Sequence, residues 1–232
     1  MSTGYALAYR FGLTPWEKAG RDAAVQFNAL LDREQEGGPS FGRALDIGCG
    51  TGDHAVNLAR RGWDVTAVDF VPQALGIGRA KAVEAGVDVR WVEADVLDMA
   101  DHVDTDFALL LDVGCFHGLK PQQRPAYIHQ LGAVSRPGST MLMLAFQPGR
   151  RPPAPLPRGA TLQELETTFT GWEVIADDAA DTSCMSAPVK RTAPHFFRLR
   201  RDTGRAREAA DGGHGLHINV SSAAVRASQH SV

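Results

Sequence analysis

ALDIGCGTGDHAVNLARRGWDVTAVDF, from Ala44 to Phe70, decides the fold. It holds a short apolar run, a cluster of glycines, a helical pattern, a second apolar run and then an acid. That order is the layout of a βαβ unit that cradles a ligand. Gly48, Gly50 and Gly52 fall where the first strand should hand over to the helix. Glycine there permits positive φ and lets backbone come close to a bound molecule. The helix that follows turns its unpaired N–H groups toward the same point. A glycine pattern on its own is weak, and its place between strand and helix is what gives it meaning.

The alternation continues outward from this unit. Strands are expected at Arg43–Ile47, Val65–Asp69, Val89–Glu93, Phe107–Asp112 and Thr140–Phe146, and helices at Asp53–Arg61, Pro72–Ala85 and Gln122–Val134. The strands are nearly continuous apolar runs, as expected when helices cover both faces. Strands alternating with helices in this way predict an α/β fold with a doubly wound parallel sheet. A proline-rich stretch, QPGRRPPAPLPRG, then imposes an extended linker. Beyond it, Thr161 and Glu164 form a capping box that opens a helix through Phe169, and Trp172–Ile175 and His195–Arg200 read as two closing strands.

Toward the N-terminus, Thr14, Pro15 and Glu17 start a helix that runs to Gly37–Gly38, with Val25, Leu30 and Leu31 near one face. Ahead of it, Tyr5, Tyr9, Phe11 and Trp16 make an aromatic arm, read either as packing or as a lid over a ligand. The expected organisation is therefore an arm and helix over residues 1–40, a ligand-binding domain over 41–201, and a tail over 202–232. The tail is too poor in apolar residues to repay its ordering entropy and is expected to be disordered.

Composition narrows the function. The chain has 232 residues, 44% hydrophobic and 22% charged, the balance of a soluble globular protein of one domain. A net charge of −3 provides no global field for nucleic acid or an anionic membrane, so neither is expected as a partner. No apolar run is long enough to span a bilayer, and the first residues lack a signal-peptide core. The three cysteines, Cys49, Cys115 and Cys184, lie far apart and form no metal cluster or disulfide framework, so a reducing cytoplasm is expected and no metal is.

The glycine spacing then selects the ligand. A dinucleotide fingerprint needs a third glycine where Asp53 stands. The carboxylate of Asp46, on the strand just before the turn, repels a pyrophosphate and suits a ligand with a cationic amino-acid end. S-adenosylmethionine has an ammonium, a sulfonium and no phosphate. An acid at a strand end, Asp69, can accept from both hydroxyls of a ribose.

At this point the sequence resembles the class I S-adenosylmethionine-dependent methyltransferases. LDIGCGTG is similar to their first motif, with Asp46, Gly48, Cys49, Gly50 and Gly52 on the cofactor. Asp69 matches the acid that holds the ribose, with Phe70 next to it; Asp95 in VEADVLD matches the acid near the adenine amine, with Val96 beside the ring. FALLLDVGCFHGL and VSRPGSTMLML fit the fourth strand with its following segment and the turn into the fifth strand. The resemblance implies a Rossmann-like seven-stranded sheet, mostly parallel with an antiparallel last strand. Within the family, the arm and Trp16 look most like small-molecule enzymes of the thiopurine and tellurite-resistance kind.

The expected activity is methyl transfer to an O, S or N nucleophile of a small molecule. His117 is the candidate general base, because it follows the fourth strand at the ligand end of the sheet. A ring bonded into the backbone and merely lining the cleft is the competing account of it. Asp112 is read as buried scaffolding or as facing the cofactor, and Cys115 as a packing residue. The segment DVGC lacks the Asn/Asp-Pro-Pro-aromatic stretch of enzymes that methylate bases or protein amides. Three other readings stand beside this one: a nicotinamide-dependent oxidoreductase, a non-catalytic S-adenosylmethionine-binding protein, and a methyltransferase acting on a macromolecule. The oligomeric state is open.

Overall fold

The computed structural model describes residues 23–36, 42–148, 158–183, 185 and 187–203. Seven strands form one sheet: β1 (Arg43–Ile47), β2 (Asp64–Asp69), β3 (Arg90–Glu93), β4 (Phe107–Val113), β5 (Ser135–Phe146), β6 (Trp172–Ala179) and β7 (Pro194–Arg201). Their spatial order is β3-β2-β1-β4-β5-β7-β6. The pairs from β3 through β5 are parallel, and β7 runs antiparallel to both β5 and β6. The seven-stranded, mostly parallel sheet with an antiparallel last strand is the one the sequence led us to expect.

Six α-helices are described: α1 (Ala24–Glu36), α2 (Asp53–Arg60), α3 (Pro72–Ala85), α4 (Arg124–Val134), α5 (Leu162–Thr168) and the single turn α6 (Ala187–Lys190). Local chemistry explains several of their ends. Pro72 occupies the first turn of α3, where its missing N–H costs nothing, and Gly86 closes that helix in the left-handed conformation. Thr161 accepts from the Glu164 amide at 3.0 Å and starts α5 as its capping residue. The Glu164 carboxylate does not reach back to complete the box. It pairs with Arg124 on α4, a partner that only the folded chain brings near.

Alternation along the strands feeds two cores. Leu45, Ile47, Leu110, Met141, Met143, Phe197 and Leu199 face one side, under α4 and α5. Ala44, Val65, Ala67, Leu109, Leu142, Leu144 and Phe196 face the other, under α1 and α2. The expected face of α1 is corrected at one position: Leu31 is buried and Leu30 packs against the core, but Val25 does not. Ala23, Phe27 and Leu31, four residues apart, are its buried stripe, while Val25 is 82% exposed. The part of that helix expected before Ala23, the aromatic arm with Trp16, and the tail beyond Thr203 lie outside the described residues.

β5 and β6 run further than expected. β5 starts at Ser135 because Ser135 pairs with Phe107 before an irregularity in the register, and β6 continues to Ala179 because β7 offers it a full antiparallel partner. The functional consequence of the topology is at the centre. β1 has β2 on one side and β4 on the other, and the chain leaves the carboxyl ends of β1 and β4 in opposite directions. A crevice opens at such a switch point, where α/β sheets bind their ligands.

Candidate active site

The first wall of the crevice is the turn from Gly48 to Gly52. All three of its glycines have positive φ, at 66°, 52° and 73°. The Gly48 and Cys49 amides donate to Val68 O at 2.8 and 3.0 Å, the Gly50 amide to Asp69 Oδ2 at 2.9 Å, and the Gly52 amide to Cys49 O at 2.9 Å. Four amides of this turn are thus committed to the protein and not to a ligand. Gly52 also has a packing reason to be glycine: a Cβ there would lie 2.3 Å from the Trp91 ring. Lys81 on α3 reaches Asp53 Oδ1 at 2.5 Å and Thr51 Oγ1 at 2.8 Å, tying the start of α2 to the neighbouring helix.

Carboxylates dominate the electrostatics. Asp69 ends β2, is 6% exposed, and accepts the Gly50 and Val71 amides at 2.9 Å each, one on each oxygen. A carboxylate offers about four lone-pair sites, and a ribose brings two hydroxyl donors. Phe70 follows it, half-buried. Asp95 is half-buried and caps its own turn by accepting the Leu97 amide at 2.9 Å. Asp46 is 2% exposed on β1. The summed field is visible at Cys115: burial, and then Asp112, Asp69, Asp95 and Asp46 in that order, push its thiol well above the ordinary range. A crevice of this sign with its turn amides spent fits a cationic sulfonium and ammonium, and does not fit a dinucleotide's phosphates.

The second wall is the turn after β4. Asp112 is fully buried, and the structure corrects its assignment to the cofactor. Its oxygens accept from the Cys115 amide at 2.7 Å, the Phe116 amide at 2.9 Å and the Tyr127 hydroxyl at 2.7 Å. Burial pushes its carboxyl up to about 6, against the pull of those hydrogen bonds. The carboxylate is therefore scaffolding. Tyr127, from the middle of α4, is a partner that no local pattern announces.

His117 does not have the chemistry expected of a base. It is 5% exposed, stacks on Phe146 with ring centroids 4.5 Å apart, and its Nδ1 accepts the Phe146 amide at 3.0 Å. Burial, with Arg124 nearby, pushes its pKa down to about 3. The neutral ring must then carry its proton on Nε2, which makes it a donor. Cys115 packs against the glycine turn, consistent with a packing residue. Val96 is buried within the core, so its side chain belongs first to the fold. A second imidazole, passed over in the sequence, faces a carboxylate. His195 Nδ1 lies 2.5 Å from Asp177 Oδ1, and register places His195 opposite Ala145 near the carboxyl end of β5. Its signal is legible only once β6 and β7 are paired, because the two residues are 18 apart.

Among the described residues no helix is long and apolar enough to cross a membrane, and no group of three potential metal ligands occurs. Residues 44–138 match the model of the methyltransferase domain family. A 2-heptyl-1-hydroxyquinolin-4(1H)-one methyltransferase of Mycobacteroides abscessus is 30% identical over 119 residues, which are 51% of this chain and 52% of that protein. The chain thus spans about half the length of this curated relative. The fold is similar to the 1,6-didemethyltoxoflavin-N1-methyltransferase of Burkholderia thailandensis, solved with S-adenosylhomocysteine, at a TM-score of 0.65 and 23% identity over 86% of each chain. It is also similar to TehB from Haemophilus influenzae, at 0.58 and 19% over 75% of this chain and 62% of that one. The glycine turn, the acid that ends β2 and the switch-point crevice thus lie within a stretch that matches the methyltransferase domain, on a fold similar to that of S-adenosylmethionine-dependent methyltransferases.

Proposed function

We propose that the protein transfers a methyl group from S-adenosylmethionine to an O, S or N nucleophile of a small molecule. One observation carries the reading: the Gly48, Cys49 and Gly50 amides are committed to Val68 and Asp69, and carboxylates surround the turn. That arrangement supports a cationic ligand without phosphates. A small-molecule acceptor is supported by the names of the hydroxyquinolone and toxoflavin relatives and by the lack of a net basic charge.

When bound, S-adenosylmethionine supplies a methyl group already activated by its sulfonium. The protein's task is orientation, which lowers such barriers by several kcal/mol, and exclusion of water. Asp69 and Phe70 hold the ribose side, Asp95 and the Val96 backbone the adenine side. Asp46 favours the ammonium by its charge, and Gly48, Cys49, Gly50 and Gly52 shape the floor. A thiolate acceptor needs no base. A hydroxyl or amine must lose a proton, and His117, with its proton on Nε2, does not take it.

Calorimetry with S-adenosylhomocysteine, NAD and NADP tests the ligand, and heat from NAD alone overturns the reading. Asp69→Ala should weaken S-adenosylhomocysteine by the loss of charge-assisted hydrogen bonds worth about 1.5–3 kcal/mol each. It should also lower stability, because the Gly50 and Val71 amides lose their acceptor. Turnover of labelled S-adenosylmethionine on hydroxyquinolone, phenol, amine and thiol acceptors separates an enzyme from a protein that only binds the cofactor.

A further inference from the structure

The crevice has two walls, and they are braced from different places. The turn after β1 is held from β2, through Val68 O and Asp69. The turn after β4, residues 114–118, is held from β5 where His117 accepts the Phe146 amide, and from α4 through a buried pair. Asp112 stands in register opposite Ile47, the residue before Gly48. Its carboxylate gathers the Cys115 and Phe116 amides and the Tyr127 hydroxyl, all within 2.9 Å. The held turn then meets the other wall directly: a Cβ on Gly48 would lie 3.2 Å from Cys115 Cβ and 3.3 Å from Cys115 Sγ. A side chain at position 48 would require Cys115 to give way by a few tenths of an ångström, so the spacing of the two walls is matched to glycine. Burying a carboxylate and a phenol together costs desolvation that an apolar pair of the same volume avoids, so a role in fixing geometry accounts for keeping them.

We propose that Asp112 and Tyr127 are positioning residues of the ligand crevice: the tyrosine orients the carboxylate, the carboxylate holds the 114–118 turn, and the turn sets its spacing to Gly48 for a bound S-adenosyl ligand. The proposal rests on the reading of the crevice given above. Neither side chain touches the ligand. Because the carboxylate does the holding, a proton on Asp112 loosens the wall. Burial places that event at about pH 6. The other charged or titratable groups around the turn are Asp46 on β1, Asp69 on β2, Asp95 after β3, Cys115 and His117 in the turn, and Tyr127 and Arg124 on α4. An Asp112→Asn variant separates Asp112 from them.

The test is S-adenosylhomocysteine affinity by calorimetry at pH 8 and pH 5, with amide hydrogen exchange, on the full chain. Tyr127→Phe, which removes one oxygen, should weaken binding on the order of tenfold at pH 8. It should also speed exchange at Cys115 and Phe116 while leaving Val65–Val68 protected. Wild-type affinity should fall from pH 8 to pH 5, and Asp112→Asn should be weak and flat across that range. Tyr127→Phe binding as wild type, or Asp112→Asn retaining the wild-type pH dependence, overturns the proposal. Should Asp112→Asn fail to fold, Tyr127→Phe decides alone. A wild-type protein that does not bind S-adenosylhomocysteine sinks the cofactor reading. Exchange in Tyr127→Phe then still decides the bracing: lost protection at Cys115 and Phe116 upholds it, and unchanged protection removes it.

Discussion

His117 and His195 use the same ring nitrogen on opposite kinds of partner. His117 accepts a backbone amide at Nδ1 and carries its proton on Nε2; His195 sets Nδ1 against the Asp177 carboxylate. The difference has a stability signature. His117 has a folded pKa of about 3, below its ordinary 6.5. Its contribution is therefore fully present above pH 6.5 and is lost as the pH falls toward 3, each tenfold in proton affinity being worth about 1.4 kcal/mol. His117→Gln should be less stable than wild type in urea at pH 8, and the gap should narrow at pH 5. An equal gap at both pH values would show that the ring is not held neutral by burial. His195→Gln should leave stability within about 0.5 kcal/mol, since its side chain is a quarter exposed and its partner nearly as much.

At the scale of elements, the contact between α3, β3 and the glycine turn runs through Trp91. Its ring covers both Gly52 and Gly78, and a Cβ at either would fall within 2.5 Å of it. Gly86, which closes α3, has a similar positive φ of 65° but nothing within 4 Å of its absent Cβ. The two positions separate backbone strain from crowding. Gly86→Ala should cost about 1–2 kcal/mol, the penalty of a left-handed side chain. Gly52→Ala should cost that and about 1–3 kcal/mol more for overpacking. Trp91→Leu added to Gly52→Ala should recover part of the excess and should do nothing for Gly86→Ala. Denaturant melts of the four variants check this, and equal costs at the two glycines would refute the role given to Trp91. The element α1 is secured differently. Glu34 accepts from Thr140 Oγ1 at 2.7 Å and pairs with Arg198, fixing the helix to β5 and β7 through charge as well as through Phe27 and Leu31.

For the whole molecule, the sheet is complete at Arg201, and the next amide, of Asp202, donates to Gly171 O at 3.0 Å. The first of the chain's two compact units ends there as well. A chain shortened to end at Thr203 should melt within about 2 °C of the full chain, since the change leaves every strand and both cores of the sheet intact. It should also bind S-adenosylhomocysteine unchanged. Calorimetric melting of the two chains is the check, and a large drop would mean that residues beyond Thr203 contribute to the fold.

What the sequence determined by itself was whatever depends on near neighbours. Continuous apolar runs alternating with helical patterns specify a doubly wound sheet, because only helices on both faces can cover such strands. Three glycines between strand and helix, an acid before them and an acid at the end of the next strand specify the ligand end and its charge. The span of α3 was legible to the residue, since Pro72 and Gly86 are local signals. Tertiary structure decided the rest. The roles of Asp112 and His117 turn on Tyr127 and on the Phe146 amide, 15 and 29 residues away, and both residues read equally well as ligand contacts until those partners arrive. The inward face of α1 was settled by what it packs on, and the His195–Asp177 pair exists only because β6 and β7 are antiparallel neighbours. A single strand or helix carries its own periodicity, but whether a buried polar group serves a ligand or the fold depends on which donors and acceptors the finished chain places around it.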